Sequence, residues 1–156
     1  MTGNRNEEDA KFMRLAIEEA AAAFEKGEVP VGAILVKDGD VIARGHNLRE
    51  TTKDPSAHAE ILILRQAAAL GADSWRLSGA TIYVTKEPCI MCAGAIVNAR
   101  IARLVYGCRD SKAGGVDSLY QIPTDSRLNH RVEVISGVLE EECASLLKRF
   151  FRERRC

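Results

Sequence analysis

Four residues carry chemistry that can be read at once: His58, Glu60, Cys89 and Cys92. They stand in His58-Ala59-Glu60 and in Pro88-Cys89-Ile90-Met91-Cys92. One imidazole and two thiols make a set of three zinc ligands. A catalytic zinc takes three protein ligands and keeps its fourth position for water or substrate. Zinc held this way lowers the pKa of bound water from near 16 to roughly 7, so hydroxide is available at neutral pH. Glu60 is left over as a carboxylate beside the ion, free to move protons. Two blander readings compete. A structural zinc knot needs a fourth ligand, and no other Cys or His lies at finger-like spacing. A redox Cys-x-x-Cys would leave His58 and Glu60 unexplained. The catalytic reading, with one Zn2+ per chain, accounts for all four.

The surrounding pattern says what positions them. Asn6 can cap a helix whose first turn holds Glu7, Glu8 and Asp9, leaving residues 1–5 frayed. Phe12, Ala16, Ala20 and Phe24 then make one apolar face, ending at Gly27. Residues 31–36 form a continuous apolar run, the mark of a buried strand. Asp38-Gly39 is a two-residue hairpin signal, and residues 41–45 return antiparallel. A polar loop is expected to Ser56. Pro55 opens a helix that carries Ile61, Leu62 and Leu64 and stops at Gly71. Strands follow at 80–85, 101–107 and 132–138, with a helix from Cys89 to about Asn98 and a last one over residues 140–155. An antiparallel hairpin followed by strands alternating with helices implies an α/β fold. It is a three-layer α/β/α sandwich on a mixed five-stranded sheet.

Both halves of the motif then fall at strand-to-helix junctions. Cys89 and Cys92, three apart, share a helix face, and the positive helix end favours thiolates there. His58 and Glu60, two apart, diverge on a helix unless the ion lies ahead of the helix end. Glu87 is suited to hydrogen-bond a backbone group behind the site, although a solvated Glu fits the sequence equally well.

With 156 residues the chain is long enough for one domain and one core. Lys plus Arg and Asp plus Glu both number 22, so no overall basic field advertises a nucleic-acid partner. Any such partner must be held by a local patch. The basic, aromatic stretch Lys148-Arg149-Phe150-Phe151-Arg152-Glu153-Arg154-Arg155 suits phosphates and unpaired bases, with one Phe expected in the core and the other available. Five cysteines, the polar residues 4–9 and the lack of any membrane-length apolar run fit a cytoplasmic protein without a membrane. Cys108 and Cys143 are expected as core thiols and Cys156 as an exposed end.

His-x-Glu followed by Pro-Cys-x-x-Cys is the signature of zinc-dependent nucleobase deaminases. From Phe12 to Arg155 the chain resembles the bacterial tRNA-specific adenosine deaminases of the cytidine-deaminase superfamily. The resemblance rests on Glu28–Ala33, Asp54–Glu60, Glu87–Ala95, Arg109–Lys112 and Asn129–Glu133. It implies a cytidine-deaminase-like fold and a homodimer with sites near the interface. The implied reaction is adenosine to inosine at the wobble position of a tRNA anticodon stem-loop. Residue by residue, it implies His58, Cys89 and Cys92 as ligands and Glu60 as the proton carrier. It also implies Asn47 at the flipped base, Asp110 and Lys112 near the RNA, and Phe150 with Arg152 beside the anticodon loop. Lys86 departs from the pattern, since an apolar residue is usual there. A deaminase of a free base or nucleotide, guanine or cytosine type, would share the same core but leave the basic aromatic tail without a role. A catalytically idle RNA-binding module would be expected to lack Glu60 or a ligand.

Overall fold

The structure, a computed structural model, describes residues 2–70 and 74–154. At its centre lie strands β1 (Gly32–Lys37), β2 (Asp40–His46), β3 (Thr81–Lys86), β4 (Arg103–Cys108) and β5 (Glu133–Ile135), in the order β2-β1-β3-β4-β5. β1 pairs antiparallel with β2 and β3, whereas β3–β4 and β4–β5 are parallel. The expected mixed five-stranded sheet is therefore present. The β1–β2 turn has φ of 53° at Asp38 and 80° at Gly39. Two positive values make the type I′ geometry that follows strand twist, which glycine enters without steric cost.

Alternation along the strands divides the core into two layers. Ile34, Val36, Tyr83 and Val105 face α1 (Thr2–Glu25) and α5 (Glu140–Glu153), where Phe12, Met13, Ala16 and Cys143 meet them. Leu35, Ile82, Val84, Leu104 and Tyr106 face α3 (Ala59–Leu70) and α4 (Ile90–Asn98), packing on Ile63 and Ile96. Helices on both faces explain why the central strands are apolar throughout. Each fully buried Leu, Ile or Val contributes about 1.5–3 kcal/mol. Cys108 and Cys143 are both buried thiols, as expected.

Several expectations are corrected. α1 begins at Thr2 rather than at an Asn6 cap. Arg5 of its first turns reaches Glu133 of β5 at 3.4 Å, which ties residues before Asn6 to the sheet. Asp9 is not a helix-end charge. It is buried, accepts two bonds from Arg103 (2.7 and 2.6 Å) and one from the Tyr83 hydroxyl (2.8 Å). The helix stop near Gly27 holds: Gly27 and Glu28 donate back to the carbonyls of Phe24 and Ala23, a Schellman pair. Pro55 does not open a helix. Asp54 Oδ1 accepts the Ser56 N–H (2.8 Å) and hydroxyl (2.7 Å) in a turn around it, and α3 starts at Ala59. The supposed polar loop holds a single helical turn, α2 (Arg49–Thr52). β5 spans only Glu133–Ile135, because the chain turns through Gly137 and Leu139, both at positive φ, into α5. The stop at Gly71, Arg155 and Cys156 lie outside the described residues.

Candidate active site

The four motif residues meet at one end of the sheet, beyond the C-terminal ends of β3 and β4. His58 stands at the N-cap of α3, its carbonyl accepting the Leu62 N–H at 3.1 Å. Cys89 holds the same place on α4, with φ −73°, ψ 178° and its carbonyl on the Ala93 N–H at 2.8 Å. Both helices thus aim their free N–H groups and positive ends at one spot. The N-cap position also resolves the spacing problem of His58 and Glu60. His58 leaves the helix cylinder while Glu60 is inside its first turn, so both side chains reach one cavity.

His58 Nδ1 lies 3.6 Å from Cys89 Sγ and 3.4 Å from Cys92 Sγ. All three ligand atoms are within 4.8 Å of one another, a group able to hold a metal ion. One nitrogen and two sulfurs match the donor chemistry of a catalytic zinc with an open position. The thiols polarise each other. The Cys92 thiol beside Cys89, helped by His58 and opposed by burial, brings Cys89 down to about 4. Donation to Cys89 together with burial pushes Cys92 up. The Cys89 contact raises His58. Glu60 is only 3% exposed, and burial raises its carboxyl to about 6 even though His58 and Lys86 pull the other way. A carboxyl poised there can accept and return a proton near neutral pH.

The cavity above this floor measures about 270 Å³. Val29, Val31, Asn47 and Arg49, from the segments flanking β1 and β2, line one wall; Lys86, Asp110 and Ala113, from the ends of β3 and β4, line another; and Phe151 of α5 joins them. Each wall hangs on a buried glutamate. Glu28 accepts the N–H groups of Glu50 (3.0 Å) and Thr51 (2.6 Å), fixing the segment that carries Asn47 and Arg49. Asn47 Oδ1 accepts the Arg49 N–H at 3.1 Å. Glu87 accepts the N–H groups of Asp110 (3.0 Å), Val116 (3.2 Å), Asp117 (2.8 Å) and Ser118 (2.9 Å), and the Ser118 hydroxyl. Burial alone would raise Glu87, but the Ser118 hydroxyl and these N–H groups outweigh it and hold the carboxyl at about 2. Gly114 lies against this carboxylate so closely that a Cβ would collide with it. The same loop donates the Gly115 N–H to the Pro88 carbonyl at 2.8 Å and bridges Cys89 through Gly114. Glu87 therefore does hydrogen-bond the backbone behind the site.

Of the residues implied for RNA contact, Asn47 and Asp110 line the cavity. Lys112 is exposed on the loop beyond it, its N–H held by Asp110 Oδ1 at 3.0 Å. Arg152 is exposed and does not line the cavity. Phe150 requires a correction. It is buried, edge-on to Phe24 of α1 at 5.8 Å between centroids, and its neighbour Phe151 lines the cavity instead. Cys143 and Phe150, seven apart, share the buried centre of the α5 face, and Phe151, one position on, lies at its exposed edge. Two of the tail's cations are also engaged, Arg149 over the Phe24 ring (4.3 Å) and Arg154 over Phe150 (4.2 Å). Glu28 and Arg49 are among the pocket-forming residues to which sequence reasoning gave no role, and Phe151 is the available ring of the expected pair.

Residues 7–155 match the family of MafB19-like deaminases. A tRNA-specific adenosine deaminase of Bacillus subtilis is 54% identical over 149 residues, covering 95% of this chain and 91% of that protein. The chain belongs to this deaminase family. A solved structure from a study of A-to-I editing by tRNA:A34 deaminases at the wobble position of transfer RNA superposes with a TM-score of 0.82. That structure is 49% identical, with 88% of this chain and 99% of the other covered. The guanine deaminase of Nitrosomonas europaea shares the fold at 24% identity and a TM-score of 0.76, over 90% of this chain and 83% of the other. As a deaminase the protein is a hydrolase, and its fold is cytidine-deaminase-like. Among the described residues, no helix is long and apolar enough to cross a membrane.

Proposed function

We propose that this deaminase hydrolyses adenosine to inosine at the wobble position of tRNA anticodons, using one Zn2+ held by His58, Cys89 and Cys92. The observation that carries the chemistry is the convergence of those three donors beside a buried carboxyl on the floor of an open pocket. The substrate rests on the likeness to proteins named tRNA-specific adenosine deaminase at about half identity. Zinc, when bound, would supply an acidified water as the nucleophile. Glu60 takes a proton from that water and gives it to the ring nitrogen next to the attacked carbon. It then carries the second proton to the amino group. The water oxygen has by then bonded to the carbon; the C–N bond breaks, ammonia leaves with that proton, and the oxygen remains as the inosine carbonyl. Asn47 faces the base with its amide, and Phe151 offers a ring at the mouth where an unpaired neighbouring base can stack. Asp110, Lys112 and Arg152 belong to the surrounding RNA surface.

A homodimer is part of this reading. Ile90, Met91, Leu119 and Tyr120 expose apolar side chains on α4 and on the loop that packs against its start, beside the site. A cytoplasmic setting, where tRNA and reduced thiols coexist, completes it. The test is incubation of the zinc-loaded protein with a synthetic anticodon stem-loop bearing a wobble adenosine, followed by nucleoside analysis. Inosine formation, with poor turnover of free adenosine, cytidine and guanine, is expected. Turnover confined to a free base or nucleoside would transfer the protein to nucleotide metabolism.

A further inference from the structure

Lys86 ends β3 and lines the same pocket, yet neither the deamination chemistry nor the fold requires a cation there. Its ammonium lies 3.0 Å from Asp110 Oδ2, across from the end of β3 to the loop after β4. The two side chains are 29% and 14% exposed, so the pair is reachable from the pocket mouth.

The two oxygens of Asp110 have separate tasks. Oδ1 accepts the N–H groups of Lys112 (3.0 Å) and Ala113 (3.1 Å) and closes the turn. Among the described residues, Oδ2 meets only Lys86. The Asp110 N–H is held independently by Glu87 at 3.0 Å. Opening the Lys86–Asp110 pair therefore leaves the loop intact. A partly exposed ion pair is also weakly held. A base seated in this pocket as part of a strand brings phosphodiesters to both sides of it, and a free nucleoside brings none. A phosphate arriving at the Lys86 wall meets an ammonium and a carboxylate together. Like charge drives it from the carboxylate, and its non-bridging oxygens accept from the three N–H donors of the lysine.

We propose that Lys86 is a specificity-determining residue: Asp110 holds it in the free enzyme, and it exchanges onto a backbone phosphate of the bound strand. The pocket then favours an adenosine inside a polynucleotide over the free nucleoside. This rests on the RNA-editing reading above.

The test compares the zinc-loaded parent, Lys86→Met, Lys86→Arg and Asp110→Asn on the anticodon stem-loop, with KM measured over a KCl series. Lys86→Met is expected to raise KM roughly tenfold at low salt and to flatten the log–log salt dependence by about 0.7–0.9, the share of one phosphate contact. Lys86→Arg is expected to retain the parental slope. Asp110→Asn keeps the Oδ1 acceptor and releases the lysine, so its KM is expected to fall by a few-fold. The opposite signs of the Met and Asn variants are the signature, since a merely structural pair would suffer in the same direction from either change. Equal salt slopes for parent and Lys86→Met, or KM shifts of one sign in both variants, overturn the inference while parental inosine formation keeps the editing reading. A parent that makes no inosine overturns both.

Discussion

The two ends of the central sheet both bury carboxylates, and they treat them in opposite ways. At one end Asp9, 3% exposed, takes both nitrogens of the Arg103 fork and the Tyr83 hydroxyl. Burial opposes, but these partners prevail and hold its carboxyl below the ordinary range. At the other end Glu60 is equally buried, and its carboxyl is raised to about 6. Burial raises both, more strongly at Glu60, and only Asp9 has partners that outweigh it. Glu87 makes the point from within the pocket end: it stands two residues from Cys89, accepts four backbone N–H groups, and behaves like Asp9. A satisfied carboxylate holds structure; one left with an open pocket on its charge is available for chemistry.

The largest expected effect comes from the ligands. Cys89→Ala should lose the metal and with it all measurable deamination. It should also melt lower, because binding free energy at a site absent from the unfolded chain adds to folding. Metal analysis of the purified variant decides this, and undiminished zinc would remove Cys89 from the ligand set. Next, Glu60→Gln and Asp9→Asn should separate the two ends. Glu60→Gln should keep its metal and lose roughly 10²- to 10⁴-fold in kcat. Its stability at neutral pH should hold or rise: a carboxyl raised to about 6 costs stability once charged above that pH, and no cost remains below its ordinary value. Asp9→Asn should cost about 3–5 kcal/mol, because buried Arg103 loses its bidentate partner and keeps only the 3.4 Å contact with half-exposed Glu133. The activity of the folded fraction should match the parent. Denaturant curves and turnover numbers on the two variants test this, and a stability loss shared by both would erase the contrast.

Acid titration addresses Glu87. Its folded pKa of about 2 lies below the ordinary value, so its contribution is fully present above about pH 4.5 and fades as pH falls toward 2. The size is on the order of 3 kcal/mol. Glu87→Gln should therefore be less stable at neutral pH and show a shallower loss between those pH values. A parallel acid profile would mean that the loop is held by something else. The last contrast concerns the paired phenylalanines. Phe151→Ala should raise KM for a stem-loop by roughly one to two orders of magnitude, the worth of one base-stacking contact, with little change in melting temperature. Phe150→Ala should instead cost about 3–5 kcal/mol of stability. Exchange of these two phenotypes would reverse the assignment of the faces of α5.

The clustering of His58, Cys89 and Cys92 was legible in the sequence because metal chemistry demands particular residue types at particular spacing, and few other arrangements produce them. The sheet was legible through apolar runs and the Asp38-Gly39 turn. Partnerships across long separations were not. Asp9 looks like a helix-end acid until Arg103 is seen beside it, and nothing local to Glu28 or Glu87 announces the loop each will hold. Pro55 misled because a proline that suits a helix start also suits a turn, and the Asp54–Ser56 bonds settle between them. Phe150 and Phe151 are adjacent and alike. Only the phase of α5, fixed by Cys143 and Leu147, distinguishes them.

The pairing pattern of the sheet also orders events in time. The β1–β2 hairpin closes over two residues and is local, so it can form early. The parallel β3–β4 pair must wait for its crossover, α4, to be built and laid on the same face as α3. Cys89 and Cys92 travel with that crossover, and His58 with the helix it must join. The donors therefore become neighbours only when the face is nearly complete. An ion captured at that stage has little to accelerate; what it slows is the return journey, the opening of the finished molecule.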